Sequence, residues 1–175
     1  MKLNHLLIMF NLLVFLSVST CYSQDFKRYG FDVNLPCTLE KDKEIDSNEA
    51  RSIGYGRVNL LVTFSCLTST GERGMATLYR VTYISHDVKV DMDIRTYAQD
   101  VCKRKESQGM KTKVISYKGR PACLSLDQAY IRNKIFDSGM IDFASGKTSY
   151  TLQVLTSDSP LEDRLNIIKR RFYLK

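Results

Sequence analysis

Tryptophan is absent from this chain of 175 residues, and histidine occurs only twice. His5 lies in an N-terminal apolar stretch, which leaves His86 as the single candidate for histidine acid–base chemistry beyond it. It stands in Ser85-His86-Asp87 at a strand end, where neighbouring side chains point to opposite faces, so three consecutive residues cannot form a triad. No two cysteines are spaced C-x-x-C, and those from Cys37 onward stand more than twenty positions apart, which argues against a zinc site. A glycine-rich phosphate loop is missing, since Gly54-Tyr55-Gly56 is a lone G-x-G without a strand–helix context. Internal repeats and low-complexity tracts are also missing, which excludes a repeat architecture. No apolar run reaches the roughly 20 residues of a comfortable membrane span.

What is present begins with an address. Lys2 precedes an apolar run from Leu6 to Val18, broken only by Asn11, and small or polar residues then lead to Cys21-Tyr22-Ser23. That order is a secretory signal peptide over 1–23, and it predicts a secreted or periplasmic chain starting at Gln24. One alternative is a retained N-terminal anchor. Another reads Val18-Ser19-Thr20-Cys21 as a loose lipobox, with Cys21 lipidated and the protein a membrane-anchored lipoprotein.

Residues 24–175 fit one domain of ordinary size. The first 23 residues hold one of the 26 basic residues and none of the 19 acidic ones, so the remainder carries a net charge of +6. The surplus gathers at Lys103-Arg104-Lys105, at Lys111 and Lys113 with Lys118 and Arg120, and at Lys169-Arg170-Arg171. Such a balance is either a solvated basic face or a site for anionic lipid heads, glycans or an acidic protein. Nucleic acid is not expected, because no recognised fingerprint accompanies the charge.

Cys37, Cys66, Cys102 and Cys123 are an even set in an exported chain and predict two disulfides, with three connectivities open. The preferred pairing is Cys37–Cys66 with Cys102–Cys123, joining the first strand to the second and the first helix to a strand it covers. The even count also argues against a free cysteine nucleophile.

Alternating apolar residues predict strands over Phe31–Pro36, from Val58 to Cys66 and around Tyr79–Tyr83, the last two forming a hairpin through Gly71-Glu72-Arg73-Gly74. The charged segment Thr38–Tyr55 reads as an exposed loop. Ile94, Tyr97, Ala98, Val101 and Lys105 fall at helical spacing, with Asp91 or Asp93 as cap and Gly109 as stop. Further strands follow over Lys113–Tyr117, Ala122–Ile135, Met140–Phe143 and Tyr150–Val154. Ser159-Pro160-Leu161-Glu162 reads as a capping box before a closing helix with Leu161, Leu165, Ile168 and Phe172 on its apolar face. Tyr173-Leu174-Lys175 is left to pair at a sheet edge.

Three short motifs carry a likeness: Tyr117-Lys118-Gly119-Arg120-Pro121-Ala122, Gly146-Lys147-Thr148-Ser149-Tyr150-Thr151-Leu152 and the closing Ile168-Lys169-Arg170-Arg171-Phe172-Tyr173-Leu174. With the order of elements, they make the chain resemble the PsbP-like α/β/α sandwich family. The resemblance implies an α+β fold, an antiparallel sheet flanked by two main helices, and a binding or scaffolding role. The rival fold is a generic antiparallel sheet with one helical face.

The expected function is therefore an exported, non-enzymatic binding or scaffold domain of the cell envelope, without cofactor or metal. Its partner is an envelope or secreted protein or an acidic ligand, with membrane contact only if Cys21 is lipidated. The candidate surface is Lys111, Lys113, Tyr117 and Arg120. Two alternatives are a secreted hydrolase using His86 or a pair among Asp127, Asp137 and Asp142, and an immunity or inhibitor protein.

Overall fold

A computed structural model describes residues 26–52, 57–69, 76–89, 94–131, 133–157 and 159–175. The expected signal peptide, Cys21, Gly54-Tyr55-Gly56, the Gly71–Gly74 turn and the Asp91 or Asp93 cap lie outside the described residues.

Among the described residues nine strands form: β1 (Phe31–Val33), β2 (Glu40–Asp46), β3 (Val58–Ser69), β4 (Ala76–His86), β5 (Lys111–Tyr117), β6 (Arg120–Ile131), β7 (Lys134–Ser145), β8 (Thr148–Thr156) and β9 (Phe172–Leu174). Three helices accompany them, α1 (Ser47–Ser52), α2 (Ile94–Glu106) and α3 (Leu161–Arg171), with a 3-10 turn at Phe26–Tyr29. Seven strands make one sheet in the order β2-β3-β4-β8-β7-β6-β5, while β1 and β9 pair apart from it. All the pairings are antiparallel.

The expected α+β sandwich with two main helices is corrected by this architecture. Strands hold 57% of the described residues in two sheets, and the helices are short, so the fold is β-rich. The first reason is that the predicted loop Thr38–Tyr55 contains β2 and α1. The second is that the predicted strand Ala122–Ile135 is a hairpin, in which β6 turns back at Asn133 (φ 62°) into β7. The third is that part of the layer over the sheet comes from β1, β9 and the 3-10 turn. The rival with a single helical face fails as well, because α2 and α3 pack on opposite faces.

Alternation along the strands explains this layering. Val62, Phe64, Tyr79, Val81, Tyr83, Ile141, Phe143, Tyr150 and Leu152 point to one face, where Leu165 and Ile168 of α3 close the main core with Phe31 and Phe172. Phe31 stacks on Phe172 at 5.2 Å and Phe143 on Tyr150 at 5.2 Å. The opposite face carries Cys123, covered by Val101 and Cys102 of α2 with Tyr97 packed against them. There Lys105 reaches Asp142 at 2.6 Å, and Thr151 donates to the same carboxylate at 2.7 Å.

Both preferred disulfides are formed, Cys37–Cys66 and Cys102–Cys123, with Cα separations of 5.8 and 5.4 Å. Two such bonds fit an oxidising, extracytoplasmic compartment. No helix among the described residues is long and apolar enough to cross a membrane. The capping box at Ser159 does not form. Pro160 takes the cap position without a side-chain bond, and Ser159 Oγ accepts from Arg164 Nε instead.

Candidate functional site

The four residues read as one surface are divided by the hairpin that carries them. Lys111 and Lys113 are exposed at the far end of β5, and a strand rise of about 3.3 Å per residue sets Lys111 roughly 20 Å from Tyr117. Tyr117 is buried at 5% exposure and donates its hydroxyl to the Lys169 carbonyl at 3.2 Å. Burial pushes that phenol far above its ordinary range. Tyr117 therefore belongs to the core and not to a binding surface. The β5–β6 hairpin turns at Lys118 (φ 50°) and Gly119 (φ 76°), a pair of left-handed residues that suits a two-residue hairpin. That turn delivers Arg120, half-buried, to a concavity with a largely polar rim.

Arg120 lines a cavity of about 270 Å³ together with Arg28, Tyr29, Tyr83, Thr148 and Tyr150. Gly30, Ser145, Leu174 and Lys175 complete the wall. The Tyr150 hydroxyl donates to the Tyr29 carbonyl at 3.1 Å, and Thr148 donates to the Ser145 carbonyl at 2.7 Å. Burial raises the Tyr150 phenol above its usual value, while the Thr148 hydrogen bond and, more weakly, the Arg120 guanidinium pull the other way. Tyr83 and Tyr150 meet edge to face at 5.8 Å, and Tyr29 tilts against Tyr83 at 5.3 Å. Gly30 is required here: it has φ 72°, and a Cβ would come within 3.0 Å of the Tyr150 hydroxyl. Arg28 lies over the Tyr29 ring at 4.5 Å and reaches Glu44 only at 3.9 Å. The result is an aromatic-walled recess with guanidinium groups at its rim, suited to a small anion.

Of these residues the sequence pointed only to Arg120. Tyr83 and Tyr150 were legible as strand residues, but Tyr29, in a 3-10 turn, was not singled out, and nothing local says that the three converge.

The residues considered for catalysis are dispersed. Asp142 is held in its ion pair with Lys105 beneath α2. Asp137 lies on the opposite face of β7 and accepts from Gln128 at 3.0 Å. Asp127 is exposed on β6 and stands four residues beyond Cys123, the partner of Asp142, so about 13 Å along the strand. Glycosidase carboxylates stand roughly 5 to 9.5 Å apart, which this arrangement does not provide. His86 meets a residue the sequence did not suggest, with its Nε2 2.9 Å from Ser149 Oγ on β8. Burial holds the imidazole below its ordinary value, partly opposed by Asp87. Ser149 is 3% exposed and also hydrogen-bonds Tyr97 of α2. No group of three or more metal-ligating side chains occurs among the described residues.

No family model matches the chain, so the PsbP-like resemblance rests on its short motifs alone. No curated protein matches it either. A solved crystal structure of a Bacteroides thetaiotaomicron VPI-5482 protein is similar in fold, with a TM-score of 0.50 and 7% identity over 83% of this chain and 45% of that one. The chain thus spans less than half the length of the protein it resembles, and at that identity the likeness concerns the fold alone.

Proposed function

We propose that this is an exported, non-enzymatic binding domain that holds a small acidic ligand, a carboxylate or phosphate, in the cavity of Arg120, Arg28 and the three tyrosines. The observation that carries the reading is that Arg120 lines the same cavity as Tyr150, in no ion pair with a described carboxylate. A guanidinium beside a partly desolvated aromatic wall recognises a planar anion by paired hydrogen bonds. The disulfides and the basic balance agree with an acidic ligand met outside the cytoplasm. Release into the periplasm or medium is the placement favoured by the apparent signal peptide. Lipidation at Cys21 would hold the same domain at a membrane.

Calorimetric titration with glucuronate, citrate and inorganic phosphate tests the reading. One of the acids is expected to bind, with affinity falling at least tenfold in Arg120→Ala and in high salt, while the circular dichroism spectrum is unchanged. Failure of all three acids, or affinity that survives Arg120→Ala, would sink it.

One observation favours a second reading. The 2.9 Å contact between His86 and Ser149 is the distance of a nucleophile and its base. A fluorophosphonate probe that labels Ser149 in the folded protein, and not in His86→Ala, would turn the assignment toward a hydrolase.

A further inference from the structure

The two edges of the large sheet are built in opposite ways. At one end β2 carries Glu40-Lys41-Asp42-Lys43-Glu44, charges of both signs, with a register break between Lys41 and Lys43. Mixed charge and a bulge are the usual devices that stop an edge from pairing with another strand. At the other end β5 is regular. All seven of its residues pair in unbroken register with β6, and no described strand lies beyond it. Its sequence, Lys-Thr-Lys-Val-Ile-Ser-Tyr, is rich in strand-favouring residues and holds no proline, glycine or acid. Val114 is 41% exposed, and Lys111 and Lys113 are exposed beside it. A groove of about 420 Å³ runs between this strand and α2, lined by Arg95, Gln99, Val114, Ser116 and Pro121 among others.

We propose that β5 is a docking edge that takes an acidic, extended peptide segment of a partner protein as an eighth antiparallel strand. Backbone groups of alternate β5 residues supply the hydrogen bonds, about 4.8 Å from the incoming chain. Side chains on one face of that chain enter the groove beside Val114 and Arg95, and acidic side chains on the other meet Lys111 and Lys113. The same lysines set the sign of the partner. They repel a positively charged copy of this protein and attract a strand rich in glutamate or aspartate. The groove beside the edge and the Arg120 cavity share no lining residue, so either site can fail its test while the other holds.

The experiment uses the protein with its disulfides intact and a capped heptapeptide alternating glutamate and valine. Hydrogen exchange read by mass spectrometry is expected to show saturable protection at 111–117, weakening with salt. The same peptide with alternate N-methylated amides, or with lysine in place of glutamate, is expected to give no protection. Lys111→Glu combined with Lys113→Glu should weaken binding about tenfold or more, with exchange in β3 and β4 unchanged as the control for folding. Protection at 28–30 and 148–150 instead of 111–117, or no protection anywhere, would overturn the proposal. So would a doubled mass in solution with β5 protected in the absence of peptide, which would assign the edge to a second copy of this chain.

Discussion

Lys105 and Asp142 illustrate how far a residue's meaning depends on what lies above it. Their side chains are 15% and 8% exposed, and Ser125 and Thr151 satisfy further lone pairs and protons around them. Breaking such a pair from one side leaves a buried charge alone. Asp142→Asn is expected to cost about 3 kcal/mol or more in urea unfolding, whereas Lys105→Met with Asp142→Leu should recover most of the loss. An Asp142→Asn protein as stable as the parent would mean that water reaches the site. His86 offers a second test. Burial depresses its folded pKa below the ordinary imidazole value of 6.5, so the unfolded chain takes up the proton first as pH falls. The stability that neutral His86 lends is complete above pH 6.5 and is lost as pH drops from there toward the folded value. His86→Gln should flatten that part of the pH–stability curve, measured by denaturant unfolding at pH 7.5 and 5.5. The aspartate was legible as a carboxylate and the histidine as a lone imidazole. Their partners were not, because Lys105, Ser149 and Thr151 come from elements whose juxtaposition only the strand register decides.

Among the elements, β7 and α3 are fitted through one glycine. A Cβ on Gly139 would fall 2.8 Å from Leu165 Cδ1, and Leu165 is itself 4% exposed. Gly139→Ala should therefore destabilise by about 1–3 kcal/mol, and Leu165→Ala should partly rescue it in a double-mutant cycle. Strict additivity would show that the helix simply moves away. Elements with strong alternation, such as β3, β4 and β8, were legible because one face is buried and the other is not. β2 was not legible, since five of its seven residues are exposed in a row and only Ile45 is buried. An edge strand shows little of the burial contrast that makes a strand readable. The β6–β7 turn escaped for another reason: its left-handed residue is Asn133 and not glycine. The closing helix was recognised, but its capping serine was not used as a cap, since the chain enters through Pro160.

For the whole molecule, the two disulfides divide the work. Cys102–Cys123 fastens α2 to one face of the large sheet, and Cys37–Cys66 fastens the segment between β1 and β2 to the other. With the joined positions 29 and 21 apart in sequence, loss of either bond should cost about 3 kcal/mol in the chain-entropy account. Thermal unfolding of Cys37→Ala/Cys66→Ala and Cys102→Ala/Cys123→Ala checks this, and an unchanged Tm in either would show that packing alone holds that layer. The cysteine count foresaw two bonds with three connectivities open, and the placement of the cysteines on the predicted strands and helix chose the pairing that forms. The cavity was beyond such reasoning, because its walls come from residues near 28–30, 83, 120, 145–150 and 174, which one-dimensional spacing cannot bring together.

The pairing of β1 with β9 sets Phe31 against Leu174, nearly the full described length apart along the chain. Closing so long a loop is slow and is rewarded only after the intervening sheet exists, so this short ladder should zip last during folding and open first during unfolding. Gly30 and Leu174, which line the Arg120 cavity, border or belong to that late-forming ladder. A ligand in the cavity would thus act as a clasp, slowing the first step of unravelling more than it slows the collapse of the sheet.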